Sequence, residues 1–143
     1  MFHADYNNSL SAATLSLDSV GEMMGALRRI SAGAGIPLNA PGRFLCVAPE
    51  QEAAALSIVR NAGLSLSVVS TTRLTAAGNY YLFSDPELFP AVATINLEGS
   101  EDGVSVSPGS RERTFASGGV CLSLNYDVAV VALGRAVIKR ATS

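Results

Sequence analysis

Apolar residues recur at three- and four-residue steps from Val20 through Met23, Met24 and Leu27 to Ile30, the spacing of one helix face. This predicts a helix over residues 18–31. Ser16 or Asp18 is suited to cap its start, because a short polar side chain can accept a bond from an unpaired first-turn N–H. Arg28 and Arg29 fall in the last turn, where cations complement the helix dipole. Gly33 and Gly35 end the helix, and Pro37 bars a restart. Residues 1–16 show no period, and the run DYNNS at 5–9 is turn-prone. Residues 43–47 (RFLCV) form a short apolar run between Pro41-Gly42 and Pro49, the pattern of a buried strand. Pro49 suits the first turn of a second helix, followed by Glu50 and Glu52 at its positive end. That helix runs through 53–60 and closes at 61–63; residues 66–69 are the next strand and 73–78 a loop of small residues.

The stretch 79–99 (NYYLFSDPELFPAVATINLEG) holds the densest aromatic cluster, Tyr80, Tyr81, Phe83 and Phe89. Aromatic residues fit a pleated, half-buried surface, so 80–83 reads as a strand. Asp85-Pro86 interrupts it, since the residue before a proline is pushed out of the helical region. A second run resumes at 92–97. Turns are predicted at 100–103, at 108–110 and at 117–119. Val104 and Val106 alternate with serines, a strand half-buried at best. Residues 120–133 read as one long strand of mixed pattern. Residues 135–140 form a closing strand with Val137 and Lys139 on one face and Ala136 and Ile138 on the other. Helices and strands mix in the first half and strands dominate the second, so the fold class is α+β, with two or more helices on a mainly antiparallel or mixed sheet.

The length of 143 residues fits one domain. Charged residues make up only 15% of the chain, against about a quarter in an average protein. So sparse a charged surface implies that other protein covers part of it. The net charge of −2 gives no electrostatic reason to expect a nucleic-acid binder. No apolar run is long enough to span a bilayer and no secretory leader opens the chain, so a soluble intracellular product is expected.

Catalytic material is scarce. The single histidine, His3, stands beside the N-terminus, so a Ser-His-Asp arrangement would need it held rigidly beside a serine, roughly 3 Å away. No serine lies in a G-x-S-x-G turn. Cys46 and Cys121 sit in apolar runs and read as buried thiols; with one histidine they make no zinc spacing. Glu98, Glu101 and Asp102 form an acidic turn without the ligand alternation of a calcium loop. Gly33-x-Gly35 follows a helix, the wrong side for a dinucleotide loop. No catalytic, cofactor-binding or metal-ligating residue is assigned, and no cofactor is expected.

Several blocks in order resemble the major capsid proteins of tailed phages and prophages, closest to the group made behind a ClpP-like prohead protease. They are the start FHADYNN, the helix end Ala26-Leu27-Arg28-Arg29, the strand Arg43-Phe44-Leu45, the helix start from Pro49 to Glu52, and NYYLFSDPELFPAVATINLEG. The likeness covers most of residues 2–99. The tail departs from it: Asn125-Tyr126-Asp127 and the run 133–139 stand at the family's closing turns, and there is no tryptophan.

The resemblance implies the HK97-type capsid fold. Residues 2–99 would be axial domain, and 100–143 strands returning toward the peripheral domain. The N-terminal arm, extended loop and spine helix would lie upstream, so the chain reads as a shortened form. It implies no enzyme activity. Its partners would be copies of itself in capsomers and the full-length capsid protein, with no specific nucleic acid and no membrane, in the virion head and in host cytoplasm during assembly. The loop of Arg73, Thr75, Gly78 and Asn79 would carry capsomer contacts. An encapsulin-like compartment shell is the second reading, and a small serine hydrolase the third.

Overall fold

The computed structural model describes residues 8–31, 35–74, 79–96, 104–108, 122–126, 128–134 and 136–141. The chain divides into two compact units, one of residues 1–92 with 132–143 and one of residues 93–131. The last twelve residues belong to the first unit.

In the first unit, helix α1 spans Leu17–Arg29. Ser16 caps it: its hydroxyl accepts from the Ser19 N–H, and the Ser19 hydroxyl accepts from the Ser16 N–H, a reciprocal capping box. Asp18 lies in the first turn and Arg28 and Arg29 in the last. Val20, Met23 and Leu27 are fully buried, the face that the periodicity marked. A 3-10 turn at Pro49–Gln51 leads into helix α2, Glu52–Asn61. Gly63 closes α2 at φ 61°, in the left-handed region that suits glycine, and the Leu64 N–H returns to the Val59 carbonyl.

Strands β1 (Ser9–Leu10), β2 (Gly42–Val47), β3 (Ser67–Ser70), β4 (Asn79–Ser84) and, at the end of the chain, β9 (Val137–Ala141) form one sheet in the order β1-β9-β4-β2-β3. β4 is antiparallel to both β2 and β9, whereas β2–β3 and β1–β9 are parallel. The connection from β2 through α2 to β3 is a crossover between parallel neighbours.

Alternation sorts each strand by face. Leu45 and Val47, Tyr80 and Leu82, and Ile138 pack with the buried residues of both helices into one core. On the opposite face the register pairs Phe44 with Phe83, Cys46 with Tyr81, Cys46 with Val69, and Phe83 with Val137. The predicted two-faced pattern of the closing strand holds in this register, with Lys139 opposite Tyr81 and Ile138 opposite Leu82.

Side chains bind the segment before α1 to the last strand. Arg140 is buried on β9 and donates from Nε to the Ser11 carbonyl (3.0 Å) and from Nη1 to the Ser19 carbonyl (3.2 Å). Its Nη1 also pairs with Glu22 at 2.7 Å, and the two side chains are 6% and 65% exposed. The Tyr80 hydroxyl donates to the Ala13 carbonyl, and backbone bonds run from the Lys139 N–H to the Asn8 carbonyl and from the Ala13 N–H to the Ala141 carbonyl.

After β4, the Asp85-Pro86 break is a turn: Asp85 Oδ1 accepts from the Glu87 N–H and the Asp85 carbonyl from the Phe89 N–H. Where the chain re-enters this unit, the N–H groups of Leu133 and Gly134 both donate to the Ala91 carbonyl. A Cβ on Gly134 would stand 2.8 Å from the Pro90 carbonyl oxygen, so only glycine allows this approach.

The second unit contains two strand pairs. β5 (Val92–Asn96) neighbours β8 (Val128–Ala132), and β6 (Val104–Pro108) is antiparallel to β7 (Leu122–Tyr126). The single long strand expected over 120–133 is therefore two strands with different partners. The reason lies in the pattern itself: residues 122–126 alternate and suit a ribbon with one apolar face, whereas 128–132 are uniformly apolar. The residues of the strand at 104–108 are all exposed, Val104 least at 36%.

Arg140 and Tyr80 give contrasting expectations in urea unfolding. Arg140→Ala leaves two carbonyls without their donor and should cost about 2–4 kcal/mol. Tyr80→Phe should cost about 1 kcal/mol. Glu22→Gln should cost less than 1 kcal/mol, because its carboxylate is in solvent. A larger loss from Glu22→Gln than from Arg140→Ala would show that the ion pair, not the carbonyl bonds, fixes this segment.

Candidate assembly surfaces

Among the described residues no three His, Cys, Asp or Glu side chains come together as a metal site. His3, Cys121, Gly33 and the acidic turn of Glu98, Glu101 and Asp102 lie outside the described residues. The two buried serines among the described residues have structural bonds: Ser19 belongs to the helix cap, and the Ser84 hydroxyl donates to the Phe89 carbonyl at 2.7 Å. Among the described residues no helix is long and apolar enough to cross a membrane.

What the first unit offers is surface. The face of the sheet opposite the helices carries a groove of about 340 Å³. Its walls are Phe44 and Phe83 from the adjoining strands β2 and β4, Cys46, Val69 on edge strand β3, and Pro86 and Val92. Tyr81 and Phe83 lie two residues apart on β4, with ring centroids 6.4 Å apart. A groove this poor in polar groups has little with which to orient a small metabolite. Cys46 is half-buried in it rather than fully buried in the core as expected, because it falls on the opposite face of β2 from Leu45 and Val47. Burial pushes its thiol up from the ordinary range.

Of the proposed contact loop, Arg73 is exposed in the turn after β3, its N–H 3.3 Å from the Thr71 hydroxyl. Asn79 is the half-buried first residue of β4, opposite Ala141. Thr75 and Gly78 lie outside the described residues. The structure thus puts Arg73 beyond the end of an edge strand and Asn79 within the sheet.

The second unit has no buried residue among those described; only Ala93 is partly covered. Exposed Val104, Val106, Leu122, Leu124 and Tyr126 lie on its β6–β7 ribbon.

A well-packed sheet layer with an apolar outer face, and no metal-ligating cluster among the described residues, is suited to being packed against. The phage capsid protein family matches residues 3–139. The chain belongs to that family. Its match to a solved structure agrees: the encapsulin SrpI of Synechococcus elongatus PCC 7942, seen by cryo-electron microscopy in its holo complex, superposes with a TM-score of 0.63 at 10% identity. The superposition covers 94% of this chain and 52% of the encapsulin chain, so this chain spans about half of its length. No curated protein matches. At this identity the likeness is one of fold, the HK97-like fold of capsid and encapsulin shells.

The start FHADYNN lies outside the described residues except Asn8, and the other capsid blocks named from sequence fall, where described, on the elements expected of them. Arg43-Phe44-Leu45 lies in β2, Pro49 to Glu52 opens α2, and NYYLFS is β4. Two features escaped sequence reading. The role of Arg140 had one signal, a cation inside an apolar closing strand. The groove had none, because it depends on which strands become neighbours.

The Cys46 thiol should react slowly with iodoacetamide near neutral pH, and its rate should keep rising at pH values where the unfolded chain has levelled off. Since the folded thiol ionises above the unfolded one, its contribution to stability is complete below the unfolded value and lost as pH rises through the folded one. Peptide mass mapping across pH checks the order; equal rates in folded and unfolded chains would contradict it.

Proposed function

We propose that this chain is a structural tile of a phage-type capsid shell, acting by burying its surfaces against copies of itself and not by catalysis. The observation that carries this reading is membership of the phage capsid protein family over residues 3–139. The low charge content and the apolar groove agree with it. Shells are interface burial repeated by symmetry, which calls for neutral apolar faces rather than reactive groups.

The finer parts of the proposal rest on the sequence resemblance. The origin is a tailed phage or prophage, in the group whose capsid protein is made behind a ClpP-like prohead protease. Residues 2–99 correspond to the axial domain, which meets its neighbours around the capsomer axis, and 100–143 to strands returning toward the peripheral domain. The arm, extended loop and spine helix belong to the rest of the capsid polypeptide. Arg73, Thr75, Gly78 and Asn79 lie at the contact between axial domains, and the assembled protein resides in the virion head after forming in the host cytoplasm. The encapsulin likeness leaves a compartment shell as the second reading, because one fold serves both.

Electron microscopy of the full native reading frame expressed in bacteria tests the function: closed shells are expected, and a soluble monomer at high concentration would refute the tile role. Nucleic acid inside the particles favours the phage head, and a protein cargo the compartment. Arg73→Glu should reduce the yield of shells at least about tenfold, by reversing the charge at a close contact, while leaving the thermal midpoint within a few degrees. Undiminished assembly of that variant would remove Arg73 from the contact.

A further inference from the structure

We propose that the first unit closes on itself at a clasp between Ala91 and Gly134, so that residues 93–131 are an excursion its fold does not require. This holds whatever the chain assembles with, and so stands apart from the capsid reading.

The core of the first unit comes from that unit alone. Every described residue of the buried cluster, and every half-buried apolar side chain packed on it, lies within residues 10–89 or at 136 and 138. None belongs to residues 93–131.

The last strand is likewise held by the first unit's own groups. β9 pairs with β4 along five residues, Asn79 to Phe83. Backbone bonds run from the Ser84 N–H to the Ala136 carbonyl, from the Lys139 N–H to the Asn8 carbonyl and from the Ala13 N–H to the Ala141 carbonyl. Arg140 adds its bonds to the carbonyls of Ser11 and Ser19. These contacts need residues 136–141 to be present, whichever route the chain takes to reach them.

The clasp brings the two ends of the excursion together. The chain leaves the first unit after Val92 and re-enters it at Ala132. Beside these points the N–H groups of Leu133 and Gly134 reach the Ala91 carbonyl at 3.0 and 3.3 Å. A short connection therefore spans the gap. The approach depends on Gly134, because an added Cβ would stand 2.8 Å from the Pro90 carbonyl oxygen, a backbone atom that cannot swing aside. The entropic cost of closing a loop grows only with the logarithm of its length, so a long excursion is tolerated here and a short one costs less.

Hydrogen exchange of the intact chain in dilute solution, read by mass spectrometry, gives the first test. Segments from α1, α2, β2, β4 and β9 should lose protection together, and more slowly than those from β6 and β7. Loss of protection in one step common to all of them would overturn the proposal. Excision gives the second: residues 93–131 are replaced by a glycine-serine linker, in a short and a longer form. The excised chain should melt cooperatively, with a midpoint within a few degrees of the first unit's in the intact chain, or above it. A chain that is unfolded with both linkers would overturn the proposal. In the intact chain, Gly134→Ala should lower the midpoint of the first unit by about 5 °C or more. An unchanged midpoint would mean that no clasp forms at Gly134, and would overturn the proposal too.

Discussion

Insertion of the last strand between β1 and β4 is the interaction on which the first unit depends. β9 supplies hydrogen-bond partners on both sides, parallel to Ser9–Leu10 and antiparallel to β4 along five residue pairs. It also delivers Ile138 to the core and Arg140 to the carbonyls of Ser11 and Ser19. Without β9, β4 would be a sheet edge and the segment before α1 would lose the donors that fix it. Because β9 comes from the end of the chain and its neighbours from residues 9–84, the sheet closes only after the intervening chain has returned, a long-range contact that costs loop entropy.

The return explains the tightness of the passage at Gly134. Two N–H groups converge on the Ala91 carbonyl while the Pro90 carbonyl lies against the glycine. The outgoing and incoming backbones are thereby clamped, and residues 93–131 form a separate compact unit. That unit has strand pairs with apolar faces and no buried residue among those described. The first unit, by contrast, buries a continuous core under two helices.

The charge pattern follows the same division. The described basic residues of the first unit lie mainly at helix ends and turns, and the one buried cation, Arg140, has backbone carbonyls for most of its partners. A buried guanidinium is tolerable when carbonyls and a carboxylate satisfy its donors. The groove on the outer face of the sheet is lined almost wholly by apolar groups, which suits it to apolar contact.

The sequence by itself determined the local elements. The 3.6-residue period and the Ser16 cap marked α1, Pro49 with its acidic neighbours marked the start of α2, and the aromatic run marked β4, because these signals act through the chain's own backbone over a few residues. Ordered blocks along residues 2–99 also made the capsid family legible. Only the tertiary structure decided which strands pair. It split 120–133 into two strands, returned residues 132–143 to the first unit, and brought Phe44, Cys46 and Val69 together on one face. The physical reason is that strand pairing joins residues far apart in the chain: alternation tells which side chains share a face, but not which strand lies beside them or whether anything covers the face they make.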